Sequence, residues 1–149
     1  MSLLNKATKA WLLNQLKFHS VAVVSLFTAI FGFSFNSYQA QQNEINQNMR
    51  VASFEVLKSL GDLQTVVNYA HFSNDKSRGH PIDGWKHVTM VRDLSKLLKP
   101  EAEKEAQALY VSWEQDWESL NTDENIESII STKITKTRQA VLNTIDNLE

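Results

Sequence analysis

The sequence predicts an all-α protein in which a single N-terminal transmembrane helix precedes an extracytoplasmic antiparallel bundle of about four helices. Three observations predict this fold class. Residues 18–35 contain no Asp, Glu, Lys or Arg and are mostly apolar. From Met49 onward, apolar residues recur at spacings of three and four, the period of an amphipathic helix. No segment sustains the period-two alternation that is typical of a β-strand.

Charge is distributed unevenly along the 149 residues, whose formal net charge is −2. Residues 1–17 contain three Lys and no acidic residue, and we expect them to form a basic, amphipathic cytoplasmic tip. Residues 36–149 contain the other 12 basic residues and all 17 acidic ones, a formal charge of −5. This composition excludes a disordered chain and, because there is no Cys, a disulfide scaffold. It also excludes a nucleic-acid binder that depends on net positive charge.

Residues 18–38 are the predicted transmembrane anchor. At about 1.5 Å per residue, the charge-free stretch gives roughly 27 Å of helix, which is just enough to cross a hydrocarbon core. The Lys residues on its N-terminal side predict a cytoplasmic N-terminus and an exported C-terminal domain. The chain has no Asn-x-Ser/Thr sequon, which favours a bacterial inner membrane with a periplasmic domain over a eukaryotic secretory route.

Two other interpretations of the apolar segment remain open. The first is a cleaved signal peptide, although its apolar region would be longer than usual and cleavage after Ala40 would place bulky Tyr38 where a small residue is preferred. The second is a buried helix of a soluble core, although a domain of this size rarely covers a segment that is apolar on every side. An uncleaved anchor fits the sequence best.

Four small residues in the anchor form two pairs with a spacing of four: Ser25 with Ala29, and Thr28 with Gly32. Small residues at this spacing allow another helix to approach closely, so they are candidate positions for membrane-helix packing. Small residues are also simply common in membrane helices. We expect the partner to be another membrane protein or a second copy of this chain.

Residues 39–48 are polar, and we expect them to continue the membrane helix outward or to act as a polar stalk. Residues 49–149 are predicted to form the helical bundle. The first bundle helix begins at Met49, and Gly61 within it is interpreted as a close helix contact. Asp83 is the predicted N-cap of a helix over about 84–98, and Pro100 is predicted to start a helix over about 100–120. Asn121 and Glu124 resemble a capping box that opens a last helix over about 122–147. The predicted core residues are Met49, Ala52, Phe54, Val56, Leu57, Leu60, Leu63, Val67, Ala70, Trp85, Val88, Val91, Leu94, Leu98, Ala102, Ala106, Leu109, Trp113, Trp117, Leu120, Ile126, Ile130, Ile134, Val141, Ile145 and Leu148.

The segment 70–88 contains three of the four His residues and is the candidate binding loop. Imidazoles and carboxylates that converge on a loop can bind zinc or copper, but the His spacings of nine and seven match no known ligand pattern. No metal or other cofactor is therefore predicted. The simpler interpretation is that these side chains are exposed and that the segment only caps a helix and forms turns. The candidate residues of this loop are His71, Asp75, His80, Asp83, Trp85 and His87.

An aromatic stripe lies along the third predicted bundle helix and consists of Tyr110, Trp113 and Trp117. It could line a ligand pocket or contact a partner, but Trp at helical spacing is more often packed in a core. The acidic face of the same helix, which includes Glu103, Glu114 and Glu118, is interpreted as solvated surface.

The functional expectation is a non-enzymatic accessory or interaction subunit of an inner-membrane complex, anchored in the bilayer and presenting its bundle to the periplasm. The sequence has no Cys nucleophile, Gly-x-Ser-x-Gly, glycine-rich phosphate loop or His-Glu-x-x-His. A cytoplasmic tip of about 17 residues is too short for a signalling domain, so any inward signal would pass through another membrane protein. The alternative is a periplasmic module that senses a ligand or metal through the His71–His87 region.

Overall fold

The computed structural model describes residues 3–73 and 78–148, and within those ranges the chain is helical with no β-strand. Helix α1 spans Leu3–Asn68, α2 spans Pro81–Ser95, α3 spans Pro100–Asp116 and α4 spans Glu124–Asp146. A π-helical turn, Tyr69–Ser73, follows α1, and a 3₁₀ turn, Trp117–Ser119, follows α3. The prediction of an all-α fold with one long apolar N-terminal helix is confirmed.

The chain divides into two compact units, Met1–Glu44 and Ile45–Glu149, and α1 contributes residues to both. Residues 39–48, predicted to be a polar stalk, are helical within α1. In the first unit, every residue from His19 to Glu44 is exposed. Most side chains that would give the basic tip its amphipathic character lie outside the described part of the chain.

The core of the second unit is built from the C-terminal part of α1 together with α2, α3 and α4. Trp113 is its largest fully buried side chain. Phe54 was predicted to widen the apolar face of α1, but it is 57% exposed because it lies on the side of the helix opposite the core. The predicted positions that are buried in this core are Ala52, Val56, Leu60, Leu63, Val67, Ala70, Val88, Val91, Leu98, Ala102, Ala106, Leu109, Trp113, Leu120, Ile130, Ile134 and Val141.

Helix α2 begins three residues earlier than predicted, at Pro81. His80 is its N-cap, and the His80 Nδ1 accepts a hydrogen bond from the Ile82 backbone N–H at 3.3 Å. Asp83 is therefore not the N-cap. It lies exposed in the first turn, where its charge interacts favourably with the positive end of the helix. The earlier start has a physical cause, since proline lacks the N–H that the first helical position leaves unused.

The start of α4 also differs from the prediction. Asp123 is the N-cap, and its Oδ1 accepts the Asn125 backbone N–H at 2.8 Å, so the proposed Asn121–Glu124 capping box is wrong. Asn121 instead lies in a turn that follows the 3₁₀ segment. That turn is closed by a hydrogen bond from the Thr122 N–H to the Ser119 carbonyl at 3.0 Å.

Removal of the α4 cap gives a direct stability prediction. Asp123→Ala is expected to lower the free energy of unfolding by about 1 kcal/mol, because the first-turn N–H of Asn125 loses its acceptor. Asn121→Ala is the matched control, and it should change stability by less than about 0.5 kcal/mol, as exposed substitutions usually do. Thermal unfolding of both variants in the same detergent measures the difference. Equal losses in the two variants would contradict the assignment of Asp123 as the cap.

Glycine positions correct the prediction of a close contact at Gly61. A Cβ built on Gly61 meets no other atom within 4 Å, so this glycine is not required for packing. The close contact is at Gly84 in α2, where a Cβ would lie 2.1 Å from Cζ2 of Trp113. Gly79 is similarly constrained, because its Cβ would lie 2.3 Å from the backbone N of Ala70. The chain entering α2 is thus packed directly against the turn that ends α1.

Polar side chains connect α4 to α3 and to α1. The Thr137 hydroxyl lies 3.1 Å from the Glu105 carbonyl of α3 and 2.9 Å from the Lys133 carbonyl of its own helix. The Gln64 side-chain amide of α1 donates to the Ser131 hydroxyl of α4 at 3.0 Å. Because Thr137 is fully buried, its hydroxyl needs these acceptors, and the contact fixes the register of α4 against α3.

Candidate functional site

The three His residues of the candidate loop have different environments. His71 is half-buried in the π-helical turn, and its Nδ1 lies 3.2 Å from the Leu120 carbonyl. A carbonyl only accepts, so the Nδ1 of His71 carries the proton. The His71 ring also packs edge-on against Phe72, with a centroid separation of 4.9 Å. His71 therefore connects the end of α1 to the chain that precedes α4.

His80 and His87 lie on α2, at its N-cap and its middle. His80 is exposed, and its Nδ1 is occupied by the capping hydrogen bond. The Nδ1 of His87 lies 3.9 Å from Oδ2 of Asp62 on α1, across a shallow depression of about 220 Å³. Asp75, another predicted candidate, lies outside the described residues.

These residues do not form a metal centre in the described part of the chain. No three His, Asp or Glu side chains within residues 3–73 and 78–148 lie together in a group that could hold a metal ion. His71 contacts a backbone carbonyl, His80 caps α2, and the Nδ1 of His87 approaches the Asp62 carboxylate. The geometry of these residues therefore does not support the alternative function in which this region senses a metal.

The aromatic residues form a cluster that the sequence pattern only partly describes. Trp85 of α2 packs edge-on against Tyr110 and Trp117, with centroid separations of 5.7 and 6.3 Å. The Arg92 guanidinium lies 4.1 Å from the centroid of the Tyr110 ring, a cation–π contact. Trp113, in contrast, is fully buried and packs against Gly84. The predicted stripe is thus split between the core and the seam where α2 meets α3.

Arg92 also forms an ion pair with Asp93, in which the Arg92 Nε–H lies 3.0 Å from Oδ1. This hydrogen bond lowers the pKa of the Asp93 carboxyl and raises that of Arg92. Because the folded-state pKa of Asp93 is depressed, the contribution of the pair is present at neutral pH and is lost as the pH falls through that lowered value.

This ion pair gives a pH prediction. In Arg92→Gln, the pKa of Asp93 is expected to rise towards its ordinary value, because the largest cause of its depression is removed. An NMR titration of the Asp93 carboxyl in both proteins measures the change. Lys96→Gln is the control and should give a smaller rise, since its Nζ lies further from Oδ1, at 3.4 Å, and contributes less. A larger rise in Lys96→Gln than in Arg92→Gln would contradict this order.

A cleft lies beside the start of α2, and we call it the His80 cleft. It has a volume of about 320 Å³ and lies between the entry to α2 and the 3₁₀ turn after α3. Sequence analysis missed two of its residues, since Glu118 was interpreted as solvated surface and Asn121 as a helix cap. Only the proximity of these two residues to the N-terminus of α2 indicates a shared site, and that proximity is seen only once the helices are packed. The cleft is lined by Gly79, His80, Pro81, Trp117, Glu118 and Asn121.

The small-residue positions of the predicted anchor, Ser25, Thr28, Ala29 and Gly32, are all exposed. The Thr28 hydroxyl donates to the Val24 carbonyl of its own helix at 2.9 Å. A Cβ built on Gly32 meets no described atom within 4 Å. A comparison with known proteins found no matching family model, no matching curated protein and no matching solved structure.

Proposed function

We propose that this protein is a non-enzymatic accessory subunit of a bacterial inner-membrane complex, anchored by one transmembrane helix with its bundle in the periplasm. The observation that carries the proposal is the uncovered apolar surface of residues 19–38. Contiguous exposed apolar surface of this extent is typical of a membrane or protein contact. Its large apolar side chains, each at least half exposed, are Val21, Val23, Val24, Leu26, Phe27, Ile30, Phe31, Phe33, Phe35 and Tyr38.

The chemistry of this segment supports a lipid environment. A continuous α-helix satisfies its backbone hydrogen bonds internally, which hydrocarbon requires. The Thr28 hydroxyl donates within its own helix, so it needs no water. Residues 18–35 contain no charged side chain, and the nearest flanking charge on the N-terminal side is Lys17. The basic flank supports a cytoplasmic N-terminus.

The accessory role is supported by features of the apolar segment and of the bundle. The face carrying Ala29 and Gly32 offers a partner helix a close approach. The bundle core is filled by apolar side chains around Trp113, and the motifs of common enzyme families are missing from the sequence.

Affinity purification of the tagged full-length protein from native membranes in mild detergent, followed by mass spectrometry, tests this proposal. We expect a stoichiometric membrane protein to co-purify with it. Gly32→Leu is expected to reduce recovery of that partner by about tenfold or more, because the added side chain blocks close helix approach. Ser34→Leu is the matched control. Ser34 is nine residues after Ser25, a separation of two and a half helical turns, so it lies on the face of the helix opposite the small residues.

Three results would count against the proposal. Recovery of the protein alone, with no specific partner captured by cross-linking in cells, would contradict the accessory role. A partner lost equally in Gly32→Leu and Ser34→Leu would exclude the small-residue face as the contact. If the protein is recovered only as a homodimer, its helix mediates self-association and not assembly with a different membrane protein.

A further inference from the structure

We propose that the His80 cleft binds a small organic cation, either an amine or a quaternary ammonium compound. Of the six residues lining the cleft, Glu118 carries the one formal charge, and it is negative. None of the six is Lys or Arg. Within the described ranges, no basic side chain forms an ion pair with Glu118. Among the described residues, the cleft therefore presents a carboxylate with no basic partner.

The indole of Trp117 adds a second feature that favours a cation. Trp has the most favourable aromatic face for a cation, and a carboxylate beside an indole is a typical arrangement for binding ammonium groups. Trp117 is half-buried, and its ring packs against that of Trp85 with a centroid separation of 6.3 Å and an interplanar angle of 70°. The cation-binding wall is thus fixed by the packing of α2 against the end of α3.

The start of α2 does not offer a binding site for an anion, although helix N-termini commonly bind one. Pro81, at the first helical position, has no N–H. The Ile82 N–H donates to the His80 Nδ1 at 3.3 Å, and the Asp83 N–H donates to the His80 carbonyl at 2.9 Å. The first-turn donors that would bind a phosphate or carboxylate are therefore absent or already used.

The remaining lining groups accommodate a polar substituent beside the cation. Because the His80 Nδ1 accepts a hydrogen bond, the proton of the neutral imidazole is on Nε2, which can donate. The Asn121 side-chain amide both donates and accepts. One imidazole and one carboxylate are too few ligands for a metal ion, which normally takes at least three from the protein. An organic cation with a hydroxyl or carbonyl group matches this set.

The size and rigidity of the cleft limit the ligand to a small molecule. Its volume of about 320 Å³ is at the lower end of the range for small-molecule sites. One wall is fixed by Gly79, which packs against the Ala70 backbone, and by the ring of Pro81. This proposal concerns only the bundle, so a failure to bind an organic cation would not bear on the proposed membrane anchor or its partner. Likewise, loss of the accessory-subunit proposal would not bear on cation binding.

A titration of the full-length chain with choline, monitored by NMR of the ¹⁵N-labelled indoles, tests the proposal. The sequence has four Trp, and the resonance of Trp117 is assigned by its loss in Trp117→Phe. A maltoside detergent is used because it carries no ammonium group. We expect the Trp117 resonance to shift saturably and that of Trp11 to stay constant. The neutral isostere 3,3-dimethylbutan-1-ol should bind about tenfold more weakly, because it lacks the charge.

A pair of charge-removing variants completes the test. Glu118→Gln is expected to weaken choline binding by about tenfold, whereas Glu114→Gln, one turn earlier and outside the cleft, should stay within about twofold. Both residues are exposed, so neither change is expected to unfold the bundle. The absence of a shift at the highest soluble choline concentration would overturn the proposal. Equal binding of the neutral isostere, or equal effects of the two variants, would overturn it as well.

Discussion

Gly84→Ala is expected to lower the free energy of unfolding of the bundle by about 3 kcal/mol, at the upper end of the usual cost of overpacking. The added Cβ would lie 2.1 Å from Cζ2 and 2.3 Å from Cη2 of Trp113. These atoms belong to a rigid ring that is fully buried, so the ring cannot rotate away without displacing other core residues. Thermal unfolding by near-ultraviolet circular dichroism should show a fall in Tm on the order of 10–20 °C.

Gly61→Ala is the matched control for this substitution. It makes the same chemical change within a helix, but its Cβ meets no other atom within 4 Å. It is expected to stabilise the protein by about 0.5–1 kcal/mol, because alanine restricts the unfolded chain and favours the helix. Combining Gly84→Ala with Trp113→Phe should recover part of the loss, since the smaller ring vacates the contact. Equal effects at the two glycines would show that Gly84 is not a packing contact.

Placing two charges at the centre of the apolar segment is expected to abolish membrane association. Phe27→Arg with Ile30→Arg adds about 5–7 kcal/mol to the free energy of insertion, at about 2.5–3.5 kcal/mol for each Arg near the centre of a membrane helix. Both native side chains are more than half exposed, so the change removes no described packing contact. The fraction of protein that stays in carbonate-washed membranes measures the effect. Phe27→Leu with Ile30→Leu should be retained like the native protein.

The same preparation distinguishes the two rival interpretations of the segment. An uncleaved anchor predicts that the membrane fraction contains the intact chain of 17.0 kDa. A cleaved signal peptide predicts a shorter mature protein, beginning after Ala40, in the soluble periplasmic fraction. A buried core helix predicts that the native protein is soluble and that the Arg variant unfolds. Either of these two results would overturn the anchor proposal.

Element types were predictable from the sequence because they depend on local periodicity. The stripe Ala102, Ala106, Leu109 and Trp113 forms a buried face of α3, as its spacing indicates. Helix starts were less predictable, because several residues near each boundary can cap. His80 is the N-cap of α2 because Pro81 fixes the first helical position, and the more usual cap residue Asp83 lies inside the helix.

Contacts between helices could not be predicted, because they depend on how the elements pack. Gly61 and Gly84 are both helical glycines, and nothing in their local sequence distinguishes the one in open space from the one against Trp113. The His residues illustrate the same limit. Although they lie within 17 residues of one another in sequence, His71 contacts Leu120 and His87 faces Asp62. The His80 cleft includes Glu118, which is 38 positions away along the chain.

The buried indole of Trp113 has a consequence for spectroscopy. Its Nε1–H is inaccessible to solvent and has no hydrogen-bond partner among the described residues. An indole in such surroundings emits fluorescence at shorter wavelength than a hydrated one, and its N–H exchanges with deuterium only when the core opens. Trp11, which is 62% exposed in the first unit, lies outside the bundle core and provides an internal reference. The native chain thus contains its own optical and isotopic reporter of core opening, with no need for an attached dye.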